Sequence, residues 1–361
     1  MITRIEIDGF KSFVGFELDV PPFLVVMGEN AGGKSNLVDA LMALAGGISP
    51  RDPLEVGAAG DRGIPAELFH QYEDGSRAAS LRIAAEYSAR TGYHEGWERF
   101  SVRREAEYDE ARSTIHLPDM EARSLEPDDE VVGGGLVTEL RGWVALNLDP
   151  TSMRGRALVS DTRPLESNGS NLAAVLGRAS ERAPTWQILL ADAVALLPEL
   201  RDLRVTRDRD YWELEIQSRG SGWMSAHTAS DGTLRVLAIL AAAHDPGRSS
   251  VLIVDEVENG LHPSRLADLI RRLRRITRDS LVRGPVRQII LTTHSPAVLS
   301  ALYPEHENEV VFLSAAYGPR MVNGHKVGSL RTVAEPVGGD RLPRAQVRHI
   351  LSSVQLMEPP Q

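Results

Sequence analysis

A glycine-rich octapeptide that follows an apolar run constrains this chain more than any other feature. Residues 28–35 read GENAGGKS and fit the spacing G-x-x-x-x-G-K-S. Residues 23–27 before them are apolar, as in a buried strand, and apolar residues recur at helical spacing from Asn36 onward. In that setting the backbone N–H groups of the loop and the positive end of the helix form a cradle for phosphate groups. Lys34 would reach those phosphates, and the Ser35 hydroxyl would ligate magnesium.

Two acidic residues end a second apolar run. Residues 251–254 read VLIV, and Asp255 and Glu256 follow directly. Such a pair suits nucleotide hydrolysis, because the first carboxylate can hold a metal ion while the second polarises the attacking water. A strand that ends in Asp-Glu is common in proteins without any nucleotide site. The pair indicates nucleotide hydrolysis here because the same chain also contains the phosphate loop.

Two further segments fall where a ligand site is expected. Residues 289–294 read IILTTH, an apolar strand that ends at His294. Ligands of open parallel sheets lie at the carboxyl ends of the strands, so we expect His294 to face the same pocket as Asp255. Residues 230–235, SDGTLR, open a helix shortly before the acidic strand. Ser230 or Asp231 explains that segment equally well as a simple helix N-cap.

The order of segments after residue 229 predicts an α/β fold. Helical and apolar strand patterns alternate there, in the order 231–244, 251–254, 263–278, 288–292, 296–302 and 309–313. Strand–helix–strand units with apolar strands are typical of a parallel sheet covered on both faces. Strands are also predicted at 2–7 and 16–20, and in the middle of the chain at 81–87, 100–104, 143–148, 202–206 and 211–217. The stretch 171–200 has a helical pattern.

Composition narrows the class of protein. The 361 residues are 42% hydrophobic and 25% charged, as in an ordinary globular chain rather than a disordered or fibrous one. Because the chain has no cysteine, disulfides, zinc-thiolate sites and thiol nucleophiles are excluded. No window approaches the ~18 uninterrupted apolar residues of a membrane span, and the N-terminal MITRIEIDGF lacks the apolar region of a signal peptide. We therefore expect a cytoplasmic protein without a membrane partner.

The net charge of −10 hides two opposed blocks. Residues 105–130 hold ten acidic side chains against two arginines, and residues 263–287 hold eight arginines against two aspartates. In the second block a helical apolar stripe directs five arginines largely to the exposed face: Arg271, Arg272, Arg274, Arg275 and Arg278. That face suits nucleic acid or an acidic partner, and it equally suits a solvated helix surface.

In order along the chain, these motifs resemble the ABC-type ATPase heads, and within them the RecF/SMC-like group. The stretches 5–13 (IEIDGFKSF), 255–263 (DEVENGLHP) and 293–296 (THSP) are similar to that group's first strand and turn, extended acidic motif and histidine switch. The SDGT form of the signature, with Glu258 and His262 after the acidic pair, resembles the OLD-like AAA branch. That branch includes ATPase subunits of bacterial anti-phage defence systems.

The resemblance covers residues 1–48 and 205–315 and implies a P-loop NTPase of the ABC-ATPase head type, with ATP and Mg²⁺ as cofactors. It implies a parallel-sheet core, an N-terminal antiparallel β subdomain, an inserted α+β region and no long coiled coil. Nucleotide contacts would fall on Gly28, Glu29, Asn30, Ala31, Gly32, Gly33, Lys34, Ser35 and Asn36. Magnesium ligands would be Ser35 and Asp255, and the catalytic residues would be Glu256 as general base and His294 as γ-phosphate sensor.

The same resemblance implies an ATP-dependent homodimer. Ser230 and Gly232 would bind the γ-phosphate of the nucleotide held by a second head. Two family features are altered. The glutamine that couples magnesium to the inserted region has no clear counterpart, Gln71 being the nearest candidate. Where transporter heads carry an aspartate after the acidic strand, this chain has His262, which either crosses the interface or caps a helix.

The motifs divide the chain into a split core at 1–47 and 226–335, an insertion at 48–225 and a tail at 336–361. The tail holds an amphipathic set that suits either a docking helix or a helix packed on its own head: Arg341, Leu342, Arg344, Val347, Arg348, Ile350 and Leu351.

The expected partner is an effector, such as a nuclease, on a separate polypeptide. Only 67 residues follow His294, too few for a second catalytic domain in this chain. We expect the insertion or the tail to bind that effector, in anti-phage defence. The alternatives are a RecF/SMC-like DNA repair or maintenance ATPase that binds DNA directly, and a transporter nucleotide-binding domain.

Overall fold

The computed structural model describes residues 1–46, 65–89, 97–112, 114–118, 120–125, 140, 142–245, 250–282, 287–322, 324–337 and 347. The chain divides into two compact units. Unit 1 comprises Met1–Arg141 and His306–His349, and unit 2 comprises Gly142–Glu305.

The strands, in chain order, are β1 (Ile2–Asp8), β2 (Phe16–Asp19), β3 (Phe23–Gly28), β4 (Ser80–Ala89), β5 (Glu98–Asp109), β6 (Thr114–His116), β7 (Glu121–Ser124), β8 (Val144–Leu146), β9 (Ala157–Leu158), β10 (Leu200–Asp208), β11 (Tyr211–Ser218), β12 (Trp223–Ser225), β13 (Val251–Val254), β14 (Gln288–Thr293), β15 (Val310–Val322) and β16 (His325–Pro336). The helices are α1 (Lys34–Ala45), α2 (Pro150–Met153), α3 (Leu172–Ser180), α4 (Ala183–Leu196), α5 (Asp231–His244), α6 (Pro263–Val282) and α7 (Pro296–Leu302).

An antiparallel sheet in unit 1 has the strand order β2-β1-β4-β5-β6, with β7 also paired to β5. Alternating side chains of β1 are buried, among them Ile5, which stands opposite Leu18 on β2 and Ala85 on β4. The N-terminal antiparallel β subdomain is therefore confirmed. It extends through β4 to β7, which come from the segment that the sequence analysis takes as an insertion.

A second group of strands in unit 1 carries the phosphate loop. Strand β3, buried throughout except at its last residue, pairs in parallel with β15 from Val25 opposite Val310 to Gly28 opposite Leu313. Strand β15 then pairs antiparallel with β16 along its whole length. The sequence predicts a strand that ends at residue 313, whereas β15 continues to Val322. Pro319, which would be disfavoured in a central strand, is accommodated because the pairing with β3 ends at Leu313.

Unit 2 has the predicted alternation of helices and parallel strands. Strand β13 pairs in parallel with both β14 and β8, and all its side chains are buried. A separate antiparallel sheet contains β9 to β12. The stretch 171–200, with its helical pattern, holds two helices, because Pro184 lies in the first turn of α4, and strand β10 begins at Leu200.

Helix α6 is the longest helix of the described residues, with 20 residues, and its inner stripe is buried at Leu266, Leu269, Ile270 and Leu273. Its outer face carries the exposed Arg271, Arg275 and Arg278, whereas Arg272 and Arg274 are half-buried, which corrects the expectation for these two. Arg272 is half-buried and forms an ion pair with Asp192, a fully buried residue of α4, so it does not belong to the exposed face. Within the described residues no helix forms a coiled-coil arm, and none is long and apolar enough to cross a membrane.

The tail that the sequence analysis singles out lies outside the described residues, apart from residues 336 and 337 and Val347, which is buried. The acidic block 105–130 is described up to Leu125, except for residues 113 and 119. It contributes the end of β5 and strands β6 and β7. The division into core, insertion and tail stays a prediction.

Candidate functional site

The phosphate loop of unit 1 connects β3 directly to α1, and its shape requires glycine at two positions. A β-carbon at Gly28 would lie 2.3 Å from the carbonyl oxygen of Leu313. Gly33, at the N-cap of α1, has φ of 97°, and a β-carbon there would lie 2.3 Å from the Thr332 hydroxyl oxygen. The glycines of the motif are therefore explained by close contacts within unit 1.

Lys34 places a buried ammonium group inside the loop. The residue is 7% exposed, and its Nζ donates to the carbonyl oxygens of Gly28 at 2.8 Å and Glu29 at 2.9 Å. These contacts hold a positive charge beside the backbone N–H groups, where phosphate oxygens would compete for it. Ser35 follows in the first turn of α1 and is exposed, so its hydroxyl is accessible to a metal ion.

Three side chains support the loop from behind. The Thr332 hydroxyl on β16 lies 3.3 Å from the carbonyl oxygen of Gly32 and 2.8 Å from the hydroxyl oxygen of Ser12. Asn36 donates to the same Ser12 oxygen at 2.9 Å, so its amide serves this network. Ser12 lies in the stretch IEIDGFKSF, whereas Thr332 has no signal in the sequence, because β16 itself is not predicted.

The acidic pair of unit 2 is organised by Thr292 of β14. The Thr292 hydroxyl donates to Asp255 Oδ1 at 2.5 Å and accepts from the backbone N–H of Glu256 at 2.9 Å. Glu256 has φ of 49°, which is uncommon for a residue other than glycine. Its side chain is exposed and accepts a hydrogen bond from Asn259 at 2.7 Å. The Glu256 carboxylate is therefore exposed to solvent, on a strained turn that hydrogen bonds hold in place.

His294 lies at the end of β14, and β14 is the parallel neighbour of the strand that ends at Asp255. Glu258 Oε1 accepts a hydrogen bond from the His294 backbone N–H at 2.7 Å and lies 2.7 Å from the ring Nδ1 atom. The imidazole is about half exposed, whereas the Glu258 side chain is 10% exposed. Asp255 and His294 therefore lie at the carboxyl ends of adjacent strands, as the sequence indicates.

The SDGT segment opens α5. The Ser230 hydroxyl accepts from the backbone N–H of Thr233 at 3.1 Å, so this serine is the N-cap, and it remains exposed. A β-carbon at Gly232 would lie 2.6 Å from the carbonyl oxygen of Gly260 in the loop after the acidic pair. The motif glycine therefore permits close packing between these two segments.

Two arginines add positive charge beside this helix start. Arg154 donates to the carbonyl oxygens of Ala226, His227 and Ala229 and forms an ion pair with Asp231 at 2.6 Å. Burial lowers the pKa of the Arg235 guanidinium, and the carboxylates of Asp231, Asp149 and Glu256 act against that shift. A partly buried cation thus lies within electrostatic range of Glu256.

The two altered family positions, Gln71 and His262, make local contacts among the described residues. Gln71 is exposed and forms an isolated bridge with Arg77. His262 caps α6, with Nδ1 2.9 Å from the Ser264 hydroxyl oxygen. The described residues contain no group of three or more His, Cys, Asp or Glu that would hold a metal ion. Ser35 in unit 1 and Asp255 in unit 2 each carry an oxygen ligand of the type that magnesium takes, and magnesium keeps several waters and needs few protein ligands.

These features define the class of protein. A phosphate loop between strand and helix, an acidic pair and a histidine at adjacent strand ends, and a mixed α/β fold with parallel strands are those of a P-loop ATPase of the ABC/SMC head type. The profile of the family described as "AAA domain, putative AbiEii toxin, Type IV TA system" matches residues 23–300. The chain belongs to this family.

Solved structures share the fold at low sequence identity. An Smc head bound to the C-winged helix domain of ScpA has a TM-score of 0.59 and 14% identity, over 93% of this chain and 98% of that chain. An Smc head with an extended coiled coil, derived from Pyrococcus furiosus, has a TM-score of 0.55 and 13% identity, over 98% and 99%. An Smc head domain with a coiled coil and joint, derived from Pyrococcus yayanosii, has a TM-score of 0.55 and 11% identity, over 98% of this chain and 99% of that chain. No curated protein matches the chain in sequence.

Proposed function

We propose that this chain binds ATP with magnesium and hydrolyses it. The observation that carries the proposal is the preformed phosphate loop, with the Lys34 ammonium buried against the carbonyl oxygens of Gly28 and Glu29. A buried lysine is costly unless its charge is used, and here it lies beside backbone N–H groups at a helix start. The loop therefore suits the phosphates of a nucleotide.

The other roles follow from the chemistry of each group. Ser35 and Asp255 would hold magnesium, which neutralises charge on the transferring phosphoryl group. Glu256, exposed and held by Asn259, would accept the proton of the attacking water. His294 would contact the γ-phosphate, and the loop residues Glu29, Asn30, Ala31, Gly32 and Gly33 would surround the phosphates with their backbone.

Two substitutions separate binding from hydrolysis. Lys34→Ala should abolish ATP binding, because it removes the positive side-chain charge of the loop that would compensate the phosphate charge. Glu256→Gln should bind ATP and magnesium at wild-type affinity and lose most turnover, because the amide cannot accept the proton. Fluorescent-nucleotide titration and phosphate release measure the two properties. Lys326→Ala and Glu67→Gln, both on exposed side chains of unit 1, are the matched controls.

We further propose that ATP joins two chains head to head. Ser230 is exposed at the N-terminus of α5, a helix end whose N–H groups and dipole attract phosphate. In the family resemblance this serine and Gly232 meet the nucleotide of the second head. Each composite site would then need one chain's phosphate loop and the other chain's signature.

We propose that this ATPase controls a separate effector, such as a nuclease, in anti-phage defence. The support is the family description, which names a toxin and a toxin–antitoxin system, together with the resemblance in the signature. Light scattering with and without the product of the neighbouring gene, under ATP and ADP, tests the partner. A chain that stays without that partner in both nucleotide states would contradict effector control.

Direct DNA binding is the second candidate, and the outer face of α6 favours it. Arg271, Arg275 and Arg278 are exposed there, opposed by Asp268 and Asp279. If DNA is the ligand, affinity should fall steeply with salt, and replacing the three arginines should reduce that slope. A weak, sequence-independent affinity that these substitutions leave unchanged would remove this candidate.

A further inference from the structure

We infer that Glu258 is a positioning residue for the ATPase reaction: it holds the His294 ring in one tautomer and stabilises the charged ring when His294 contacts phosphate. This inference rests on the proposed ATPase function, because it assigns the histidine a phosphate ligand. Glu258 lies in the turn after the acidic pair and is not one of the residues proposed to bind nucleotide or magnesium or to activate water.

The contact between these two side chains is direct and buried on one side. A single carboxylate oxygen, Oε1, accepts a hydrogen bond from the His294 backbone N–H at 2.7 Å and lies 2.7 Å from the ring Nδ1 atom. The backbone hydrogen bond fixes the start of the segment after β14, and the close contact with Nδ1 brings the carboxylate charge against the imidazole. The Glu258 side chain is 10% exposed, so solvent weakens these bonds little.

The second oxygen of the same carboxylate indicates that the negative charge of Glu258 has a role beyond holding the turn. Glu258 Oε2 is buried and has no hydrogen-bond partner among the described residues. A buried polar atom without a hydrogen-bond partner destabilises the folded chain, because it loses its bonds to water and gains none in return. A neutral side chain would tie down the same turn at lower cost, so turn structure alone does not explain a carboxylate here.

The tautomer follows from the acceptor. A carboxylate accepts hydrogen bonds and does not donate them, so an oxygen 2.7 Å from Nδ1 favours the neutral tautomer with its proton on Nδ1 and leaves Nε2 for a ligand. For Nε2 to donate to a phosphate oxygen, the ring must also take up a proton from water. The Glu258 charge then stabilises the imidazolium, as the carboxylate of a carboxylate–histidine pair does in other enzymes.

A cycle of substitutions tests this role. Glu258→Ala and His294→Ala should each lower kcat for ATP on the order of 10-fold, with the KM for ATP changed much less, since the contact acts on the phosphate in the reaction. The double variant should be no slower than His294→Ala, because Glu258 acts through the ring. Glu258→Gln, which keeps an acceptor oxygen without the charge, should be intermediate. Glu181→Ala, on an exposed side chain of unit 2, is the control.

A second readout does not depend on hydrolysis. Nitrogen NMR of the chain labelled at histidine, with His294→Gln used for assignment, should show the Nδ1–H tautomer in the wild type. In Glu258→Ala the population should move towards Nε2–H. A wild-type ring in the Nε2–H form, or independent additive losses of kcat in the double variant, would overturn the inference. If no chain hydrolyses ATP, the proposed function fails, and the ring tautomer still decides the Glu258 contact.

Discussion

At the scale of single residues, the phosphate loop shows why a short motif is so informative. Gly33 needs a left-handed backbone, and it also needs the space that a β-carbon would take from the Thr332 hydroxyl. Lys34 needs a side chain that is buried and still reaches the carbonyl oxygens of Gly28 and Glu29 with a positive charge. Each requirement limits one position to one residue type. A match to the whole motif therefore predicts the structure of the loop.

The first requirement can be separated into backbone strain and collision. Gly75, also in unit 1, has φ of 84° with nothing within 4 Å of the position of a β-carbon. Gly75→Ala should therefore cost about 1–2 kcal/mol of the free energy of unfolding and leave ATP affinity unchanged. Gly33→Ala carries the same strain and the added collision with Thr332, so it should cost more stability and lower ATP affinity by an order of magnitude or more.

Denaturant unfolding and nucleotide titration of the two alanine variants check this difference. Equal losses of stability, together with wild-type ATP affinity in Gly33→Ala, would show that the Thr332 contact has no bearing on the loop.

At the scale of elements, the sequence predicts best where a segment is buried on both sides. Strands β13 and β14 have every side chain buried, and they lie where the pattern places them. The sequence does not predict the hairpin of β15 and β16, because its outer part faces solvent. Tyr317, Met321 and Leu330 are exposed there among polar neighbours, and Gly318–Pro319 resembles a turn. A half-exposed edge hairpin has no pattern that distinguishes it from a loop.

Three helices of unit 2 meet at one buried carboxylate. Asp192 of α4 forms an ion pair with Arg272 of α6 and lies 2.8 Å from the Nε2 atom of His244, the last residue of α5. Arg272 already balances the Asp192 charge, so a protonated His244 would add an unbalanced charge in a buried place. Burial, with a smaller effect of Arg287, lowers the pKa of His244 from 6.5 to about 4.

The pH dependence of stability follows from that shift. The unfolded chain binds the His244 proton near pH 6.5 and the folded chain only near pH 4, so protonation favours unfolding. The contribution of neutral His244 is complete above pH 6.5 and is lost as the pH falls towards 4, by about 3 kcal/mol. Chemical unfolding of the wild type and of His244→Gln at several pH values measures it. As the pH falls from above 6.5 to 4, the wild type should lose about 3 kcal/mol relative to His244→Gln, and curves that stay parallel would contradict the lowered pKa.

At the scale of the whole molecule, the proposed site residues are divided between two units. The phosphate loop belongs to unit 1, whereas Asp255, Glu256, His294 and Ser230 belong to unit 2. Motif spacing finds each group, because each is local. The support of the loop was not predictable, since Ser12 and Thr332 are 320 residues apart and make their contact only in the folded chain.

The proposed dimer makes a quantitative prediction for mixed subunits. Ser230→Arg should leave ATP binding by each chain intact and block turnover, because the arginine would occupy the place of the neighbour's phosphate. Lys34→Ala should block turnover by preventing binding. In a mixed dimer of these two chains, one composite site carries both substitutions and the other carries neither. An equimolar mixture should therefore regain about a quarter of wild-type turnover, since half of the randomly formed dimers are mixed and each has one native site.

Phosphate release, followed while the ratio of the two inactive chains is varied, checks this recovery. Light scattering should show twice the monomer mass of 39.5 kDa for Glu256→Gln with ATP, and the monomer mass for Lys34→Ala. The matched control is a mixture of Lys34→Ala with Glu256→Gln. Each of these substitutions affects the nucleotide bound by the chain that carries it, so every site in every dimer is impaired. Activity that never recovers at any ratio of Ser230→Arg to Lys34→Ala, although the mixed dimer forms, would show that Ser230 acts within its own chain.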